Sequence, residues 1–77
     1  MSMLTTLLLF EKYGPRMSLE QISEALGLAT GTLYQRIAHK TMEIPTYIDG
    51  RGRFADTRDV ADYLDKLREQ ARREMVI

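Results

Sequence analysis

The chain has 77 residues, which is the size of one small domain with a marginal hydrophobic core. It contains no cysteine, which excludes disulfides, thiolate chemistry and a cysteine-ligated zinc site. The 11 basic and 11 acidic residues give a formal net charge of zero, which counts against a protein that holds nucleic acid by electrostatics alone.

Residues 2–13 are predicted to form an apolar core helix, which Gly14 and Pro15 end. The segment lacks a basic start, and the charged pair Glu11-Lys12 interrupts its short apolar run, so we expect neither a signal peptide nor a membrane span. The apolar residues expected near one face of this helix are Leu4, Leu7, Leu8 and Phe10.

Residues 17–40 contain two short helix patterns joined by a tight turn. Ser18 and Gln21 have the spacing of a capping box, Gly27 is suited to end the first helix, and Thr30 is expected to cap the second. The apolar residues predicted to face the core are Leu19, Ile22, Leu26, Leu33 and Ile37, with Leu28 at the corner. This arrangement is typical of a helix-turn-helix, although plain helical bundles also contain it.

The distribution of charge favours the DNA-binding interpretation. Residues 30–53 contain Arg36, Lys40, Arg51 and Arg53 against Glu43 and Asp49, which leaves an excess of two positive charges. The segments 1–29 and 54–77 each contain one acidic residue more than their basic residues. The basic excess therefore lies on the second helix of the pair and on the segment that follows it.

Residues 41–57 are predicted to form a β-hairpin. Asp49-Gly50 is a strong hairpin signal, and Pro45 is acceptable near the start of an edge strand. The strand-favouring residues are Ile44, Tyr47, Ile48 and Phe54. Arg51 and Arg53 are expected to project from the tip, where a wing can contact DNA phosphates or the minor groove. The alternative is that they are solvated loop charges.

A last helix is predicted over residues 58–73, with Asp56 or Thr57 as its cap. Its apolar stripe consists of Val60, Leu64, Leu67 and Ala71, with Tyr63 beside it. If this stripe is longer than the domain can cover, its end, together with Met75 and Val76, could contact a second copy in a homodimer.

No arrangement of residues predicts catalysis. The segment from Gly50 to Ala55 matches the letter of a dinucleotide-binding motif, but the chain has no room for the parallel sheet that motif needs. Ser23, His39 and Asp49 could be drawn as a triad, yet any small protein offers such a set. We therefore expect no enzyme activity, no cofactor and no metal site.

The run from Met17 to Leu67 resembles the excisionase-like and MerR-like winged-helix group. The matching features are a helix pair, the strand motif Ile44-Pro45-Thr46-Tyr47, the Gly/Arg segment 50–53, and Asp59-Val60 through Tyr63-Leu64-Asp65. The segments Leu7–Pro15 and Val60–Asp65 look like the prophage pyocin-activator family. The choice between these subfamilies stays open.

The resemblance implies one winged helix-turn-helix domain over residues 1–77, mainly α-helical with a small hairpin, in the cytoplasm at the bacterial nucleoid. It implies a sequence-specific double-stranded DNA-binding regulator of a prophage or mobile element, of excisionase type, bound as several copies to repeated sites. An additional role in transcription regulation stays open. It implies a tyrosine integrase or RNA polymerase as the protein partner and no contact with a membrane. The implied DNA-binding residues are Thr30, Thr32, Gln35, Arg36, His39, Lys40, Arg51 and Arg53. A pyocin-activator role without excision, or a phage protein-interaction module, are the alternatives.

Overall fold

The described part of the chain forms four helices and three short strands. A computed structural model of the protein describes residues 3–76. The elements are α1 (Met3–Tyr13), β1 (Arg16–Ser18), α2 (Leu19–Leu26), α3 (Thr30–Ala38), β2 (Tyr47–Asp49), β3 (Gly52–Asp56) and α4 (Thr57–Val76). The described chain is therefore mainly helical, with one three-stranded antiparallel sheet of order β1-β3-β2, and is compatible with a helix-turn-helix-like fold.

The strand β1 is a feature that the sequence prediction missed, since it placed only two strands in the chain. Met17 of β1 lies opposite Ala55 of β3, and both side chains are fully buried. The strand has three residues, so its alternation is too short to stand out next to the capping box that follows it. Because β3 is the central strand, the hairpin is tied directly to the residues that enter α2.

The hairpin forms where the Asp-Gly signal predicted it. Asp49 pairs with Gly52, and Gly50 has a φ of 65°, a left-handed conformation that glycine adopts without strain. The first strand is shorter than expected, because Ile44 and Pro45 precede β2 and do not belong to it. Ile44 contributes to the core instead and is 2% exposed.

The helix pair α2–α3 has the predicted first cap and turn. Gln21 N donates to the Ser18 hydroxyl over 3.2 Å, and Ser18 N donates to the Gln21 side chain over 2.9 Å, which completes the capping box. Gly27 ends α2 in a left-handed conformation, with a φ of 69°. The prediction for the second cap is wrong: Ala29 is the N-cap of α3 and Thr30 is the first helical residue.

The helix α1 contradicts the prediction that Leu4, Leu7 and Leu8 belong to the core. These leucines are 57–68% exposed, and the residues of α1 that pack against the core are Leu9 and Tyr13. Phe10 is half-buried. The helix is apolar nearly all round, so its periodicity does not say which face meets the domain.

The helix α4 begins beside the end of α1 and runs antiparallel to it. The Thr57 hydroxyl donates to the Gly14 carbonyl over 2.7 Å, and the Thr5 hydroxyl donates to the Asp65 carboxylate over 3.2 Å. Val60 is fully buried against the core, but every side chain from Lys66 to Met75 is exposed. The helix ends at Val76, three residues later than predicted.

No helix within residues 3–76 has both the length and the apolar character needed to cross a bilayer.

The start of α4 gives a pH-dependent contribution to stability. Asp56 caps the helix, because its carboxylate accepts from Arg58 N over 2.8 Å, and it pairs with the Arg58 guanidinium at 2.8 Å. The Arg58 guanidinium, together with its backbone N–H, holds the pKa of the Asp56 carboxyl below its usual value. A depressed carboxyl pKa stabilises the fold above the unfolded-state pKa of about 3.9, and this contribution is lost as the pH falls through the folded-state value.

We therefore expect Asp56→Asn to lower the free energy of unfolding by about 0.5 kcal/mol at neutral pH, since Asn still caps but carries no charge. Well below the folded-state pKa of Asp56, where its carboxyl is protonated in the folded and the unfolded protein, variant and wild type should converge. Urea unfolding at pH 7 and at about pH 2 measures both values, with Asp62→Asn on the exposed side of α4 as the matched control. A difference that persists in acid would show that the charge of Asp56 is not responsible.

Candidate nucleic-acid interface

The outer face of α3 carries most of the residues predicted to read DNA. Leu33 is fully buried and Ile37 packs against the core, so these two residues fix which face of α3 is turned outward. Gln35 and His39 are exposed in the middle of that face. The remaining predicted residues of α3, which are half-buried on its flanks, are Thr30, Thr32 and Arg36.

The end of α3 is closed by backbone hydrogen bonds around Lys40. Thr41 N donates to the Arg36 carbonyl over 2.8 Å, and Lys40 N donates to the Ile37 carbonyl over 3.1 Å, which is the pattern of a Schellman motif. Lys40 has a φ of 58°, in the left-handed region where glycine is usual. The closed turn directs the exposed Lys40 side chain away from the core at the end of the candidate reading helix.

The two predicted wing arginines lie in different environments. Arg51 is exposed in the turn of the hairpin, as expected. Arg53 does not project freely from the tip, because it is half-buried and its guanidinium donates to the Thr46 hydroxyl over 2.9 Å. Sequence reasoning did not predict this difference, since the contact joins residues on either side of β2.

A shallow pocket of about 250 Å³ connects α3 to the hairpin. It is lined by residues 18–20 at the start of α2, by Tyr34 of α3 and by residues 51–53 of the hairpin. Tyr34 is 58% exposed, and it was not among the predicted site residues. The sequence does contain a signal for Tyr34, because an aromatic residue with a hydroxyl group stands beside the polar positions of α3. A tyrosine there offers a hydrogen-bonding group and a flat apolar surface.

The hairpin is held near its tip by Arg16, which sequence reasoning did not single out either. Its guanidinium pairs with the Asp49 carboxylate at 2.6 Å and lies 3.9 Å above the ring of Phe54. The hydrogen bonds to Asp49 and Tyr47 raise the pKa of Arg16 above its already high value, so the guanidinium stays charged. The pair neutralises an acidic residue at the hairpin tip that would otherwise repel a phosphate.

Acidic residues line other parts of the surface. Asp59 and Asp62 of α4 line a shallow pocket with Glu43, whose carboxylate lies 3.5 Å from the Lys66 ammonium. On the candidate interface, Glu20 at the start of α2 lines the same pocket as Arg51 and Arg53. The protein therefore separates its charges only in part, and the interface is modestly basic.

Two of the three residues that were considered for catalysis, Ser23 and Asp49, have structural partners. The Ser23 hydroxyl donates to the Leu28 carbonyl and closes the turn between α2 and α3. The Asp49 carboxylate is paired with Arg16. Among the described residues 3–76, no group of three or more His, Asp or Glu side chains is arranged to hold a metal ion.

The chain was compared with protein-family models, with curated proteins and with solved structures, and none of the three comparisons found a match.

Proposed function

We propose that the protein is a winged helix-turn-helix that binds double-stranded DNA in a sequence-specific manner. The observation that supports this most strongly is the pocket that joins α3 to the hairpin. Tyr34 of the candidate reading helix lines this pocket together with Arg51 and Arg53 of the hairpin. A helix in the major groove with a basic hairpin on the adjacent backbone is a recurring way to hold a duplex.

The residues divide into two roles under this proposal. Gln35 and Arg36, with Thr30, Thr32 and Tyr34, would contact base edges, because amide and guanidinium groups match the hydrogen-bonding pattern of purines. His39 and Lys40 at the end of α3, and Arg51 in the turn, would contact phosphates and set the position of the helix. Arg53 would support the hairpin through Thr46 and add charge near the backbone.

The excisionase and pyocin-activator resemblances supply the biological setting. We propose a regulator of a prophage or mobile element that acts at the bacterial nucleoid in the cytoplasm. An excisionase role would involve a tyrosine integrase, and a role in transcription would involve RNA polymerase. The two outputs differ in where on the DNA the protein binds.

The size of the interface limits the affinity of one copy. A single module of this size covers on the order of 600–1,000 Å² of DNA contact surface. Its four to six or so basic contacts give only a modest salt-dependent contribution. We therefore expect useful affinity only when several copies occupy adjacent sites or when two copies are joined.

The experiment that tests the proposed function is selection from sheared genomic DNA of the host, followed by sequencing of the retained fragments. Enrichment at an integration junction supports excision control, and enrichment at a promoter supports transcription control. Retention without sequence enrichment contradicts specific recognition, and no retention contradicts DNA binding. A variant with Arg36 and Arg51 both replaced by alanine is the matched control for nonspecific capture.

A further inference from the structure

Gly31, in the first turn of α3, is the one glycine of the chain that the fold does not require. The chain has five glycines, all of them within the described residues. Three have a left-handed backbone, which glycine adopts without strain: Gly14, Gly27 and Gly50. A Cβ on Gly52 would lie 2.8 Å from a ring atom of Phe54, so that position has no room for a larger residue. Gly31 is helical, and apart from its own helix backbone and chain neighbours no atom lies within 4 Å of the place that a Cβ would occupy.

An alanine at position 31 would stabilise the fold. Glycine loses more conformational freedom on folding than alanine does, and it is unfavourable inside a helix for this reason. Where the native backbone suits alanine and the added methyl group meets nothing, the exchange raises the melting temperature of a domain of this size by about 2–6 °C. A benefit of glycine at this position therefore has to come from a molecule outside the chain.

Gly31 lies on the outward face of α3, in line with two side chains that are proposed to read DNA. It is exposed, as are Tyr34 and Gln35, which follow it by three and four residues and so share its face. The side chains of a helix lean toward its N-terminus, which directs these two over the turn that contains Gly31. Neither of them fills the space above Gly31. The helix backbone is therefore open to a partner immediately beside the proposed reading side chains.

We infer that Gly31 is a close-approach position, at which duplex DNA contacts the backbone of α3 directly. An α-helix with its side chains is about 10–12 Å across and the major groove is about 12 Å wide, so a reading helix has little space to spare. A residue without a side chain narrows α3 on the side that enters the groove and lets Gln35 sit closer to the base edges. Gly31 is thus a positioning residue that acts through Gln35 and Tyr34, and the inference rests on the proposed function.

The surroundings of Gly31 favour a nucleic acid over a protein as the partner. The polar and basic residues that follow one another along this part of α3 are Thr30, Thr32, Gln35, Arg36 and Lys40. The buried centre of a protein interface is normally apolar and depleted in charge. A helix that reads DNA instead presents amide, hydroxyl and guanidinium groups to the base edges.

The inference is tested with Gly31→Ala and Gly31→Leu in the whole chain. Thermal melting is measured together with fluorescence anisotropy on a fragment retained in the genomic selection and on unrelated DNA. Gly31→Ala should melt about 2–6 °C higher than wild type and yet bind the selected fragment about 5-fold or more weakly, which corresponds to the loss of one base contact. Its affinity for unrelated DNA should change by less than about 2-fold, because phosphate contacts carry that binding. The larger side chain of Gly31→Leu should weaken binding to the selected fragment further.

Ala71→Leu is the matched control, because Ala71 is exposed on the second half of α4, and it should leave DNA binding unchanged. A Gly31→Ala variant that binds the selected fragment as tightly as wild type overturns the inference. A variant that melts below wild type, or that loses affinity equally for both DNAs, overturns it as well. In these cases losses of affinity in Arg36→Ala and Arg51→Ala would still support the proposed function. A wild type that selects no fragment from genomic DNA contradicts the proposed function, and the inference with it.

Discussion

Leu33→Ala is expected to lower the free energy of unfolding by about 3 kcal/mol, within the range of 2–5 kcal/mol for a buried leucine. Leu33 is fully buried in the core cluster that also contains Ile22, and it packs α3 on this core together with Ile37. A domain of this size has a total stability of only about 3–5 kcal/mol from its core. The variant should therefore be partly unfolded at 25 °C and should lose DNA binding in proportion to its unfolded fraction.

Urea unfolding followed by circular dichroism measures this change. Ile48→Ala is the control, because it removes a similar number of atoms from a side chain that is 66% exposed. The control should change the free energy of unfolding by less than about 0.5 kcal/mol. A small loss in Leu33→Ala, comparable to the control, would mean that α3 is not held by the packing described above.

The second prediction with a large expected effect distinguishes a residue that determines sequence specificity from one that determines overall affinity for DNA. Arg36→Ala should reduce discrimination between the target site and other DNA by about 10–100-fold, since a base contact from arginine contributes about 1–3 kcal/mol. Arg51→Ala should weaken binding to all sequences to the same extent, by roughly 3–10-fold. It should also reduce the slope of log affinity against log salt by about one, because one phosphate contact is lost.

Fluorescence anisotropy titrations on target and unrelated DNA at several salt concentrations give both quantities. Arg73→Ala removes the same charge from the free half of α4 and serves as the control. Its effect should be small on both kinds of DNA. Equal losses of affinity for Arg36→Ala on the two DNAs would contradict a role of α3 in sequence recognition. If neither substitution changes DNA binding, the proposed interface is wrong.

The features that the sequence predicted correctly are those that depend on a few neighbouring residues. The Ser18–Gln21 capping box, the left-handed Gly27 and the turn at Gly50 are each determined within about four positions of the chain. The buried positions Ile22 and Leu33 follow from helical periodicity. These signals were enough to locate α2, α3 and the hairpin.

The features that the sequence did not predict depend on contacts between distant residues. The strand β1 exists because β3, nearly forty residues later, provides its partner. The exposure of Leu4 and Leu8 depends on which side of α1 meets α4, and an apolar helix does not reveal that choice. The position of Arg53 depends in the same way on Thr46 across the hairpin strand.

The left-handed backbone conformation of Lys40 limits how the thermal stability of this protein can be raised. A glycine would adopt that conformation without the Cβ conflict, which costs a lysine about 1 kcal/mol. A selection for heat resistance alone would therefore favour replacing Lys40. The same exchange would remove a positive charge from the end of α3. If the protein binds DNA as proposed, thermal stability and DNA affinity make opposing demands on this residue, and variants selected by melting temperature alone would lose affinity for DNA.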